Sequence, residues 1–305
     1  MKASETNLLS FLKKSQQFVI PVYQRTYSWT EKECRQLWGD VLRAGGNDSV
    51  SAHFVGSFVY IEKGIYQVSA QSPLMVIDGQ QRLTTISLML EALARNVGDN
   101  APMTGFTAEK IRSYYLTNPL EDGEDRFKLI LTQTDKETLL ALLKQTQLPA
   151  DHSVQLKHNF DFFEAAIAEL APQELIALCV GLSKLAAVDI ALDREQDNPQ
   201  LIFESMNSTG LELGQADLIR NYVLMGLEPV HQADLYENHW RPMELGFGQH
   251  SYSSNFDSFM RHYLTVKTGE IPKISEVYAA FKAHASQSEI RDEGIDALVQ
   301  DLQLY

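Results

Sequence analysis

The segment that most constrains this chain is Val76-Ile77-Asp78-Gly79-Gln80-Gln81-Arg82-Leu83. A strand-like apolar run, Leu74–Ile77, passes through a glycine into a helix expected from Leu83 to about Arg95, with Leu83, Ile86, Leu90 and Leu93 on its buried side. The first backbone N–H groups of a helix that starts this way have no intrahelical acceptor. Such a terminus attracts anions, phosphate above all. Arg82 adds a guanidinium fork for two phosphate oxygens, while Gln80 and Gln81 bring neutral donors and acceptors. Asp78 has three roles open to it: holding a metal ion, orienting a water, or pairing with Arg82. A plainer reading is equally open, in which Asp78 caps the helix, Gly79 turns the chain and the glutamines face solvent. No Gly-x-x-x-x-Gly-Lys-Ser/Thr occurs in the chain, which excludes a Walker-type P-loop.

Two further segments carry polar chemistry. Ile20-Pro21-Val22-Tyr23-Gln24-Arg25-Thr26-Tyr27-Ser28-Trp29 packs three aromatics and an arginine into its last seven residues without helical periodicity. An arginine beside aromatics suits a base or a phosphate, although such rings more often close a core. Phe203-Glu204-Ser205-Met206-Asn207-Ser208-Thr209-Gly210 reads as a turn with hydroxyl and amide groups. Downstream, Asp217, Arg220 and Asn221 share one helical face at i, i+3 and i+4.

Around these segments the first 95 residues read as mixed α/β. The periodicity predicts an amphipathic helix over 5–14 and a strand at Phe18–Ile20 that Pro21 ends or places at an edge. Thr30 and Glu33 form a capping box that opens a helix with Cys34, Leu37, Trp38, Val41 and Leu42 on one face, stopped by Gly45-Gly46. A strand follows at His53–Ile61. Helices are predicted near 107–116, 135–145, 154–170, 173–185, 214–226, 232–241, 254–267, 275–285 and 289–303, with strand-like pieces at Arg126–Leu131 and Ala187–Leu192. Gly98–Gly105 is the expected domain boundary.

Charge narrows the partners. The net charge is −14, but residues 1–95 carry 10 Lys and Arg against 8 Asp and Glu, and the other 210 residues carry 16 against 32. An acidic surface repels DNA at long range, so non-specific DNA binding by the whole chain is not expected, while a local phosphate pocket in the first third is. No apolar run approaches the roughly 20 residues of a membrane helix, and the N-terminus shows no secretory cleavage site. Cys34 and Cys179, far apart, suit a reducing compartment, and a cytoplasmic protein is expected. There is no His-Glu-x-x-His, no zinc-like Cys/His spacing and no Gly-x-Ser-x-Gly elbow. Asp151-His152 is the nearest approach to a ββα-metal nuclease and lacks a strand-turn signature.

Taken in order, Ile-Pro-x-Tyr-Gln-Arg-x-Tyr-x-Trp (20–29), Phe-Val-Gly-Ser (54–57), Val-Ile-Asp-Gly-Gln-Gln-Arg-Leu-Thr-Thr (76–85), Phe-Glu-x-x-Asn-x-x-Gly (203–210) and Asp-Leu-Ile-Arg-Asn (217–221) resemble the ParB-like N-terminal domain of GmrSD-type modification-dependent (type IV) restriction proteins. The resemblance covers nearly the whole chain. It implies an α+β protein: a ParB/sulfiredoxin-like nucleotide-binding core over 1–97, then a mainly helical domain over 98–305 that completes the site. It implies NTP binding and hydrolysis with Mg²⁺, with Asp78, Gln80, Gln81 and Arg82 in catalytic roles and Asp78 also on the metal. Gly79, Tyr23, Gln24, Arg25, Gly56, Ser57, Thr84, Asn207, Thr209, Gly210 and Arg220 become nucleotide contacts. Modified DNA and an HNH-type nuclease domain or subunit are the implied partners, and the absence of a nuclease motif before Tyr305 points to a subunit or an N-terminal part. The leading expectation is an NTP-hydrolysing sensor module of an anti-phage restriction system. Its rivals are a non-hydrolysing switch that binds nucleotide or modified DNA, and a ParB-like nuclease acting directly on DNA.

Overall fold

A computed structural model describes residues 1–14, 17–62, 73–193, 197–207, 213–247 and 252–305. The chain divides into two compact units, one of residues 1–21 and 26–197, the other of residues 22–25 and 198–305.

The first unit is built on β1 (Lys2–Asn7), α1 (Leu8–Lys14), β2 (Phe18–Val19), α2 (Glu31–Gly45), β3 (His53–Glu62), β4 (Leu74–Asp78), α3 (Gln80–Val97), α4 (Ala108–Ile111), β5 (Leu129–Ile130), α5 (Gln133–Lys144), α6 (Val154–Ala168), α7 (Pro172–Ser183) and β6 (Leu185–Leu192). Its mixed six-stranded sheet has the order β1-β6-β3-β4-β2-β5. The strand order explains why residues 98–197 do not form a separate domain at the expected boundary. β6 lies between β1, antiparallel, and β3, parallel, so the sheet is incomplete without residues far beyond Gly98. Leu156, Phe160, Phe163 and Leu178 share one core with Leu8, Phe58, Leu83 and Leu90, each such side chain adding about 1.5–3 kcal/mol on burial.

Local signals account for most element starts. The Thr30–Glu33 capping box forms as expected: the Thr30 hydroxyl accepts from the Lys32 amide at 3.3 Å, and the Glu33 carboxylate accepts from the Thr30 amide at 2.8 Å. Gly46 is the C-cap but has right-handed φ, −81°. Gly45 serves packing instead, because a Cβ there would lie 1.7 Å from the Ala177 carbonyl oxygen of α7. Pro21 ends β2, which is interior rather than at an edge, pairing with β4 and β5.

Three more expectations in this unit need correction. Residues 5–7 are strand, not helix, and α1 begins at Leu8 because the Asn7 carboxamide accepts from the Ser10 amide at 3.0 Å. The helix expected over 107–116 turns π-helical over Arg112–Leu116, which accompanies Arg112 reaching the buried Glu91 carboxylate at 2.9 Å while Arg95 reaches it at 3.0 Å. The α3 helix begins at Gln80, three residues before the first periodic leucine.

The second unit is helical: α8 (Pro199–Asn207), α9 (Gln215–Leu224), α10 (Pro229–Leu235), α11 (Arg241–Phe247), α12 (Tyr252–Thr268), α13 (Val277–Ala285) and α14 (Ser288–Leu304). α8 was not expected as a helix. A π-helical turn, Tyr236–Trp240, joins α10 to α11, and Gly294, at φ 88°, breaks α14 where one continuous helix was expected. Among the described residues no helix is long and apolar enough to cross a membrane.

Candidate functional site

The junction of β4 and α3 is made by Gly79, whose φ of 99° is left-handed and favours glycine. A Cβ there would also meet the Phe58 ring at 2.5 Å and the Ser57 carbonyl at 3.0 Å. Asp78 is therefore not the helix cap. Gly79 holds that position and offers no side chain to the first-turn amides, so the positive end of the helix macrodipole keeps its pull on an anion. Arg82, one turn in, donates from Nη2 to Asp78 Oδ2 at 3.1 Å and from Nη1 to the Val55 carbonyl at 2.9 Å. Its guanidinium carbon lies 5.4 Å from the Phe58 ring centroid.

The Val55 carbonyl is reachable because β3 is irregular there. Its register with β6 shifts between Phe54 and Ser57, a bulge in which Gly56 has φ 104°. A Cβ on Gly56 would stand 1.6 Å from Arg82 Nη1. Gly56 thus makes room for the Arg82 side chain, and Gly79 for the Phe58 ring and the Ser57 carbonyl beside it. Asp78 and Arg82 keep 32% and 20% of their side-chain surface exposed.

Gln81, on the same turn, points elsewhere. Its Oε1 accepts from the Ser28 amide at 2.8 Å and the Trp29 amide at 3.3 Å, and its Nε2 donates to the Thr26 carbonyl at 3.2 Å. The Tyr27 amide donates to Asp135 Oδ2 at 2.6 Å. The Tyr27 hydroxyl shares a hydrogen bond with Thr85 at 2.7 Å and accepts from Asn159 at 3.0 Å. Asn159 also donates to the Trp29 carbonyl at 2.7 Å. Burial pushes the Asp135 carboxyl up and the Cys34 thiol, beside Tyr27, up to about 11. The aromatic loop is thus braced by a buried polar network, and Gln81 is part of that brace.

In the second unit Arg220 is the centre of another network. Its Nε donates to the Tyr23 carbonyl at 2.9 Å, Nη2 to Asp217 at 3.0 Å, and Nη1 to Glu244. Glu244 also accepts from the Tyr236 hydroxyl and the Trp240 indole, each at 3.0 Å; both residues lie on the π-helical turn. Burial raises the Asp217 carboxyl against the pull of Arg220 and Arg25. Asn221 donates to the Asp217 carbonyl at 2.7 Å, and its buried Oδ1 has no hydrogen-bond partner among the described residues.

The expected site residues therefore fall into groups. Asp78, Gly79, Arg82, Gly56 and Ser57 meet at one place, with Gln80 and Thr84 buried on the same helix. Tyr23, Gln24, Arg25 and Arg220 belong to the second unit, where Tyr23 and Gln24 are buried. Thr209 and Gly210 lie outside the described residues, and the Asn207 side chain is not described. Sequence reasoning missed Phe58, the Val55 carbonyl, Asn159, Asp135 and Glu244. Phe58 directly follows the Phe-Val-Gly-Ser segment and was within reach. Asp135 and Asn159 meet Tyr27 across 108 and 132 residues, and Glu244 meets Arg220 across 24, separations at which sequence carries no local signal.

Comparison with curated proteins finds no match. Residues 8–224 match the family described as the GmrSD restriction endonuclease, N-terminal domain. The chain belongs to that family, and with it to a restriction system.

Proposed function

We propose that the chain is an NTP-binding and NTP-hydrolysing sensor module of a modification-dependent restriction system, with the phosphates held at the first turn of α3. The observation that carries this reading is Arg82: a half-buried guanidinium, steadied by Asp78 and the Val55 carbonyl, on a helix start whose glycine cap brings no side-chain hydrogen bond to the first turn. An arriving triphosphate finds a fork and a helix N-terminus on one turn.

Mg²⁺ fits as part of the ligand. Among the described residues no group of three or more His, Cys, Asp and Glu side chains could hold a metal ion. Mg²⁺ commonly binds through one or two carboxylates plus substrate phosphates, so Asp78 is the residue that would hold it. The ion would supply neutralisation of charge on the transferred phosphoryl group. Arg82 binds and orients the phosphates, and Asp78 positions the ion or a water. Modified DNA and an HNH-type nuclease domain or subunit are the partners this reading calls for.

One observation favours a second reading, a switch that binds without turnover. The Gln81 carboxamide, which hydrolysis would use to orient water, is occupied by the 26–29 backbone. Phosphate release with GTP, ATP, CTP and UTP plus Mg²⁺, with and without modified DNA, separates the two. Turnover lost in both Asp78→Ala and Arg82→Ala supports hydrolysis at this site; thermal stabilisation by one nucleotide without turnover supports the switch. Turnover that survives both substitutions contradicts the site.

A further inference from the structure

We propose that Asp78 makes Arg82 selective for a polyphosphate complexed with a divalent cation: the carboxylate masks the guanidinium until such an ion draws it away. The proposal rests on the reading of this turn as a phosphate site. Every group involved, from Val55 to Arg82, belongs to the first unit.

The two partners of Arg82 differ in kind. Nη1 donates at 2.9 Å to the Val55 carbonyl, a neutral group fixed in β3. Gly56, whose Cβ would stand 1.6 Å from Nη1, and the Phe58 ring, 5.4 Å from the guanidinium carbon, lie against the same side chain. These contacts aim the fork and leave its charge in place. Nη2 donates at 3.1 Å to Asp78 Oδ2, a carboxylate that cancels that charge. Asp78 keeps 32% of its side-chain surface exposed, and its Oδ1 accepts no hydrogen bond among the described residues.

A bare polyphosphate arriving at Nη2 competes with Oδ2 for one donor and meets a like charge at contact distance, a repulsion that grows as water is excluded. Mg²⁺ commonly binds through one or two carboxylates plus substrate phosphates. When the polyphosphate brings the ion, Asp78 exchanges Nη2 for it and the repulsion becomes an attraction. Nη2 then turns to a phosphate oxygen while Nη1 stays on Val55. The selectivity equals the difference in ligand affinity between the two positions of Asp78.

Equilibrium titration of the full chain with inorganic tripolyphosphate tests this without any turnover, in EDTA, with Mg²⁺ and with hexaamminecobalt(III). The expected result is binding about tenfold or more tighter with Mg²⁺ than in EDTA, the scale of one regained charge-assisted bond, and lost in Arg82→Ala. Hexaamminecobalt(III) neutralises the probe but keeps its ammonia ligands and makes no bond to a carboxylate, so it does not restore the binding. Asp78→Asn keeps the side-chain size and removes the charge. In EDTA it binds about tenfold or more tighter than the wild type, and Mg²⁺ changes that binding little. Equal wild-type binding in EDTA and in Mg²⁺, or an Asp78→Asn protein that still needs the ion, overturns the mask; provided Arg82→Ala abolishes binding, Arg82 remains a phosphate ligand. If Asp78→Asn fails to fold, the cobalt arm on the native chain decides, and full restoration overturns the mask. Binding that survives Arg82→Ala, or no binding to the native chain under any condition, overturns the phosphate site and the mask with it.

Discussion

Two Asp–Arg pairs on helix starts look alike in sequence and do opposite things. Asp78 and Arg82, i and i+4, pair at 3.1 Å with 32% and 20% of their side chains exposed. Asp217 and Arg220, i and i+3, pair at 3.0 Å with 8% and 2% exposed. The first guanidinium has two protein partners and an open side; the second is saturated by two carboxylates and a carbonyl. A charge pair becomes a binding device only where a ligand reaches it without leaving a buried charge alone. Where it is sealed in, removing one partner is strongly destabilising.

The comparison can be broken most sharply at Arg220. Arg220→Ala strands the Asp217 and Glu244 carboxylates, and a cost of about 3–5 kcal/mol is expected, read as early loss of the second unit in urea unfolding followed by near-ultraviolet circular dichroism. A loss under 1 kcal/mol would make the pair as dispensable as a surface one. Next comes Gly56→Ala, with an expected cost of about 1–3 kcal/mol from the left-handed backbone and displacement of Arg82 from the Val55 carbonyl. Its check is a paired melting and nucleotide-titration experiment in which both must suffer.

A titration sharpens the contrast further. Burial raises the folded pKa of Asp217, so the folded state holds this proton more tightly than the unfolded one. Stability from this group is full below the unfolded value, near ~3.9, and falls as pH rises through the folded value. Asp217→Asn should remove that decline, seen as a flatter urea midpoint against pH than in the wild type. The smallest stability effect belongs to Arg82→Ala. A partly exposed pair is worth about 0–1 kcal/mol, so the melting temperature should barely move.

The sequence was a good guide wherever the physics is local. The Thr30–Glu33 box, the strands at 53 and 74, the glycine turn at 79 and the helical periods along the acidic half all follow from neighbours a few residues apart. It was a poor guide where pairing is remote. Lys2–Asn7 is polar and mostly exposed, and becomes a strand only because β6, about 180 residues on, supplies the other edge of the ladder. The same remoteness hid the true extent of the first unit. At the site, residue type was legible but direction was not: Gln81 and Arg82 are adjacent in sequence, yet one braces a buried loop and the other meets solvent. That difference is set by Ser28, Trp29 and Val55, whose backbone groups no side-chain pattern announces.

The central claim, that Arg82 on the first turn of α3 is a phosphate-binding residue, is tested most directly by equilibrium titration of the purified chain with GTP, ATP, CTP and UTP in the presence of Mg²⁺. The expected result is saturable binding of at least one nucleotide, weakened about tenfold or more in Arg82→Ala, as loss of a charge-assisted bond worth ~1.5–3 kcal/mol requires, with unchanged melting. Nucleotide binding of wild-type strength in a folded Arg82→Ala protein would contradict it.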